Sequence, residues 1–240
     1  MFPLRDNIPT DRFPVLTVTF IALNVLVYFL LQDGGLGLPN GGETGEWPVP
    51  DYAAIPCEVF GKCANTGEPW PVNAFTSMFM HGSILHLGGN MLFLWIFGNN
   101  VEDSMGPVKF VAFYLLGGLV ALAAQAILNT DSPVPTIGAS GAVAGVLGGY
   151  ILLFPRARVV TLIFIVFFFT FIELPALVVL GFWFVQQIIF GAADLTNPTG
   201  GGGGVAYFAH IGGFVFGLLA IRLFASRERH ERQLRRARLT

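Results

Sequence analysis

Apolar residues in this chain fall in long unbroken runs rather than at alternate positions, a pattern that predicts helices crossing a bilayer. About 17 to 25 apolar residues suffice to span roughly 30 Å of hydrocarbon. Six such runs are present, at roughly 14–32, 84–100, 108–128, 139–155, 174–191 and 205–224. Barrel strands would show a two-residue alternation, which these runs lack. A spanning segment must satisfy its own backbone hydrogen bonds, so the pattern predicts an all-α polytopic membrane protein, a bundle of six transmembrane helices. A further apolar stretch, VVTLIFIVFFFTFI at 159–172, is too short to span. Its length predicts a segment that lies at the interface or dips in and returns, with Glu173-Leu174-Pro175 breaking the chain before the next helix.

Composition agrees. Hydrophobic residues make up 54% and charged residues 12% of the 240, and the mean hydropathy is +0.67, which excludes an ordinary soluble domain. No small-residue cleavage site follows the first run, which is therefore read as a retained helix. Charge decides the number of spans. With six spans and a cytoplasmic N-terminus, every basic residue except Lys62 falls on the cytoplasmic side. The outer loops then hold Asp33, Glu43, Glu46, Asp51, Glu58, Glu68, Asp131 and Asp194. A seventh span would carry the arginine-rich tail outside, against the positive-inside tendency. The predicted organisation is a cytoplasmic N-terminus at 1–13, a membrane domain at 14–224 with an outer loop at about 33–75, and a basic cytoplasmic tail at 225–240. A compact core with a basic inner tail suits a bacterial plasma membrane.

The tail, SRERHERQLRRARLT, reads as a topology anchor against membrane lipid, with His230 solvated; no nucleic-acid partner is expected. The five-glycine run before the last helix reads as a flexible link. Cys57 and Cys63 sit six apart in the outer loop, either as a small disulfide clasp or as two thiols. Zinc does not fit there, with two thiols and no nearby histidine. No metal or other cofactor is expected.

Polar groups inside spans are costly and each asks for a reason. Four of them, His86, Asn90, Ser140 and His210, fall near the outer ends of the second, fourth and sixth spans, which run in the same direction in this topology. Ser140, in TIGASGAVAGVLGG, stands where a loop turns into a helix, and the first-turn N–H groups and positive dipole end there favour a developing oxyanion. A serine needs a base to become a nucleophile, and His210 in YFAHIGGFVFG is the candidate. Gly141 and Gly145 against Gly213 and Gly217 form small-xxx-small pairs that would press the two helices together. His86 and Asn90, spaced i, i+4, share a helix face and could both donate to an oxyanion alongside the Ser140 N–H. His81 lies off that face and is expected to make a structural hydrogen bond. Singly, each residue reads as packing; together they cover nucleophile, base and oxyanion donors at one depth.

The strings HGSILHLGGNMLFLWIFGNNVED, GASGAVAGVLGGY and AHIGGFVFG resemble the rhomboid protease family in content, order and spacing from about residue 70 to 224. The resemblance implies a six-helix core, a Ser140–His210 dyad with no acidic third member, and an oxyanion hole that includes His86 and Asn90. It also implies transmembrane protein substrates, and Gly138 and Gly212 fall within its glycine motifs. Two positions depart from the family. Ala144 stands where many members carry an aromatic ring that stacks on the catalytic histidine, and the family's Trp-Arg pair in the first loop is absent, although Trp70-Pro71 lies near its place.

Rival readings are weaker. A catalytically silent rhomboid-like binding factor has no need of both serine and histidine. A small transporter would need polar groups along a path across the bilayer, whereas these gather near one face. No H-E-x-x-H is present for a metalloprotease.

Overall fold

The computed structural model describes residues 2–32, 50–64, 67–165, 168–196 and 205–237. The five-glycine run and much of the outer loop at about 33–75 lie outside the described residues. The fold is mostly helical. Its helices are α1 (Val15–Leu26), continued by a π-helical turn at Val27–Leu31; α2 (Pro56–Val59) and α3 (Trp70–Thr76) in the outer loop; and α4 (Ile84–Phe93), which passes through a π-helical stretch, Leu94–Gly98, into α5 (Asn99–Met105). They continue with α6 (Pro107–Leu128), α7 (Ser140–Leu153), α8 (Ala176–Thr196), α9 (Tyr207–Phe224) and α10 (Arg227–Ala237). Residues 107–128, 176–195 and 207–224 form helices long and apolar enough to cross a membrane; Val15–Leu31 and Ser140–Leu153 are apolar but shorter.

The all-α expectation is corrected by a three-stranded antiparallel sheet. Its strands are β1 (Phe2–Asp6), β2 (Arg158–Ile165) and β3 (Phe168–Pro175), in the order β1-β2-β3. The apolar stretch at 159–172 is thus the greater part of a β-hairpin, in register from Arg158↔Pro175 to Ile165↔Phe168. Its valines, isoleucines, threonines and phenylalanines are the residues that favour strands, and length and hydropathy alone do not register that preference. Glu173, expected at the break before the next helix, lies within β3 and pairs with Arg158 at 3.3 Å. The fifth predicted run correspondingly forms a helix that starts at Ala176 and runs to Thr196 rather than occupying 174–191.

Small residues set the central packing. A Cβ on Gly213 would lie 2.1 Å from the Gly141 carbonyl oxygen, and one on Gly217 2.0 Å from that of Gly145, so α7 and α9 run parallel at backbone contact. Gly141 meets Ala121, and Gly212 meets Ala124, both on the antiparallel α6. Ala121 lies seven residues, about 10 Å of helix rise, before the end of α6 at Leu128. Ser140 is therefore recessed by about that much below that end of α6.

The opposite end of the bundle is bound by polar contacts. Buried Glu102 on α5 accepts from the backbone N–H of Leu16 and Thr17 and from Thr17 Oγ1, at 2.8–3.0 Å, capping the N-terminus of α1. Asp6 accepts from Asn100 Nδ2 at 2.7 Å and from the Tyr150 hydroxyl. The tail is the docked helix α10 rather than a solvated segment. His230 Nε2 donates to the Leu153 carbonyl at 2.9 Å with its ring edge-on to Phe154, Gln233 donates to Asn100 O at 3.1 Å, and Arg232 and Arg236 pair with Asp11.

Candidate active site

The loop that delivers Ser140 is held from below and from the side. Thr136 exchanges backbone hydrogen bonds with Ala54 of the predicted outer loop, and the Gly138 N–H donates to Ser77 O at 2.9 Å. In that outer loop Cys57 and Cys63 form a disulfide, and Lys62 pairs with Asp131 at 2.8 Å. Gly138 adopts φ +120°, a conformation L side chains rarely adopt. A Cβ at that position would also fall 2.8 Å from the His86 ring. The backbone then turns into α7 at Ser140, whose N–H belongs to the first helical turn and has no i−4 carbonyl to receive it.

His210 and Ser140 meet across the α7–α9 contact: Nε2 lies 2.9 Å from Oγ. Nδ1 lies 2.8 Å from Oε1 of Gln187, on α8. The His210 ring packs against Trp183 in a tilted contact, centroids 5.7 Å apart at 37°. Ala144 is fully buried and leaves the ring no aromatic support from α7; the indole of α8 supplies it. The first turn of α9 is held in turn by Gln125 on α6, whose Oε1 accepts from Ala209 N at 3.2 Å.

His86 and Asn90 project from α4 toward the same space. The N-terminus of α4 is capped by Ser83, whose hydroxyl accepts from His86 N at 3.1 Å. Asn90 is buried, and its Nδ2 has no hydrogen-bond partner within the protein. Together with Ser83, Trp183, Ser140 and His210 these two side chains line a cavity of about 620 Å³, the rest of whose wall is largely apolar. An unpaired buried donor at a cavity wall is costly unless something enters to accept from it. His81 sits behind the cavity. It is fully buried, its backbone exchanges hydrogen bonds with the Gln32 amide at 3.0 and 3.3 Å, and Ala139 N approaches its Nε2 at 3.5 Å. Among the described residues no group of three His, Cys, Asp or Glu side chains is placed to hold a metal ion.

Gln187, Trp183 and Gln125 are not among the residues picked out above from the sequence. The signal was available: a glutamine in an apolar run is a polar group that needs a partner, and Trp183 lies one turn from Gln187 on the same face.

A recessed serine at a helix start, paired with a histidine on a parallel glycine-packed helix, belongs to a recognised class. The Rhomboid domain model matches residues 67–227, and the chain belongs to the rhomboid family. Among its relatives, "Rhomboid protease GluP" of Bacillus subtilis is 35% identical over 56% of this chain and 24% of its own length. "Rhomboid protein 1, mitochondrial" of Saccharomyces cerevisiae is 31% identical over 62% and 40%, and "Presenilin-associated rhomboid-like protein A, mitochondrial" of Danio rerio 29% over 59% and 34%. The matched stretch thus covers less than half the length of each of these relatives.

Proposed function

We propose that this rhomboid is an intramembrane serine endopeptidase that cleaves transmembrane segments of other membrane proteins. The observation that carries this reading is the 2.9 Å contact between Ser140 Oγ and His210 Nε2 at the wall of a cavity also lined by Asn90, whose amide nitrogen is buried and unpartnered. In the reaction, Ser140 Oγ attacks the scissile carbonyl as its proton passes to His210 Nε2. The tetrahedral oxyanion is received by the Ser140 N–H, Asn90 Nδ2 and the His86 ring. His210 returns the proton to the leaving amine, the C–N bond breaks, and water hydrolyses the acyl-enzyme by the same route reversed. A peptide bond inside a helix is shielded, so the substrate helix unwinds locally to present it.

We place α1, α4–α5, α6, α7, α8 and α9 as six spans with both termini in the cytoplasm. The grouping of the sheet, α10 and nearly all the basic residues at the end opposite Ser140 supports this orientation. Residues 1–13 and 225–240 are then cytoplasmic and 14–224 the membrane domain, opening its cavity to the outer side. A bacterial plasma membrane is our assignment; the mitochondrial relatives make fractionation of the source cell its check. Reconstitution with a labelled single-span substrate tests the activity. Ser140→Ala and His210→Ala should each abolish cleavage, and undiminished turnover by either would sink the reading. Covalent capture of Ser140 by a fluorophosphonate separates a protease from a silent binding factor.

A further inference from the structure

We infer that Gln187 is the third member of the site, a positioning residue that selects the reactive tautomer of His210. This rests on the reading of Ser140 and His210 as nucleophile and base. The orientation of the Gln187 amide is set by its other contact: Nε2 donates to the Trp183 carbonyl at 3.3 Å, one turn back along α8. Turning the amide over would bring Oε1 against that carbonyl oxygen, two acceptors face to face. Oε1 therefore points at His210 Nδ1, 2.8 Å away. An acceptor at that distance requires a proton on Nδ1, and a neutral imidazole carries only one. Nε2 is left with its lone pair toward Ser140 Oγ, the arrangement a general base needs. The opposite tautomer would set a lone pair against the Gln187 carbonyl and offer Ser140 a donor.

The same contact serves the next step. When the Ser140 proton arrives at Nε2, the Nδ1–H···Oε1 bond becomes charge-assisted. The Trp183 ring, with its centroid 5.7 Å from that of the imidazole, lies close enough to the same charge for a cation–π contribution. A carboxylate at 187 would do this more strongly, but a fixed charge midway along an apolar helix is expensive. The amide is the uncharged solution. Trp183 and Gln187, spaced i, i+4, make one face of α8 the seat of the imidazole, one by ring packing and the other by the hydrogen bond at Nδ1.

The experiment compares wild type, Gln187→Leu and Gln187→Glu in proteoliposomes, reading cleavage kinetics, fluorophosphonate labelling of Ser140 and the ¹⁵N resonances of His210. Loss of the acceptor in Gln187→Leu should lower kcat and the labelling rate about 10- to 100-fold with KM little changed. Gln187→Glu should recover most of that loss and move the basic-group limb of the kcat–pH profile to higher pH, because a carboxylate favours the imidazolium. In wild type the ¹⁵N shifts should report a proton on Nδ1 and a bare Nε2. Wild-type rates in Gln187→Leu, or a proton on Nε2 in the wild-type resting state, would overturn the inference. The tautomer measurement needs no variant to fold, and wild type that fails to label at Ser140 would refute the protease reading instead.

Discussion

Gly213 stands so close to Gly141 that a single added methyl group at 213 would fall 2.1 Å from the Gly141 carbonyl oxygen. The obstacle is backbone, not the far end of a flexible side chain, so the two helices can only separate. Because Ser140 adjoins Gly141 on α7 and His210 lies three residues, about one turn, before Gly213 on α9, separation also stretches their hydrogen bond. Gly213→Val should therefore lose about 1–3 kcal/mol of stability and most of its Ser140 labelling. Thermal unfolding in detergent alongside fluorophosphonate capture checks both. A variant as stable and as reactive as wild type would mean the contact is not tight in the membrane.

Asn90 separates binding from chemistry. Its Nδ2 is buried and unpaired, and the residue lines the cavity, where an oxyanion would develop only in the transition state. Asn90→Ala is expected to reduce kcat by about 10²–10³ while leaving KM within a small factor. A rise in KM at constant kcat would reassign the side chain to substrate binding.

Glu102 is a cap supplied from another element. Three donors from the start of α1 converge on its carboxylate in a buried setting, and truncation strands all three. Glu102→Ala should cost about 1–3 kcal/mol or more, whereas Glu102→Gln, which keeps an acceptor oxygen, should lose less. Chemical unfolding monitored by tryptophan fluorescence ranks them, and equal losses would argue that the charge rather than the hydrogen bonding matters.

Asp6 gives a pH dependence of defined sign. Desolvation in its half-buried setting raises its carboxyl from 3.8 to about 6, against the lowering effect of the Tyr150 hydroxyl bond. The folded protein thus holds this proton more tightly than the unfolded chain. Its contribution to stability is greatest below the unfolded value and declines as pH rises through about 6. Asp6→Asn, which keeps an acceptor for Tyr150 and Asn100, should gain in Tm relative to wild type as pH is raised from about 4 to 7. A difference that stays flat across that window would contradict the assignment.

Much of this molecule was legible in the chain because membrane helices announce themselves by length. Positions such as His86, Asn90, Ser140 and His210 stood out because polar groups are rare in apolar runs. What escaped was set by geometry between elements. The hairpin at 158–175 is as apolar as a helix and declares itself only through its β-branched and aromatic residues and through β1, which covers one edge of β2. Gln187 does not stand out in the chain because its partner, His210 Nδ1, reaches it only across the α8–α9 contact. His230 looked like one more solvated residue in a charged tail; its place against Leu153 and Phe154 depends on where α10 returns.

The pairing of β1 with β2 also has a temporal side. Phe2 is matched with Leu162 and Asp6 with Val159, partners separated by roughly 150 to 160 residues of synthesis. At ribosomal rates of about 5–20 residues per second, β1 waits on the order of ten seconds for its neighbour. Bringing together partners so far apart in sequence also carries a loop-closure entropy that local contacts escape. Order of synthesis thus keeps the sheet open until the helices α1 to α7 that separate β1 from β2 have been made.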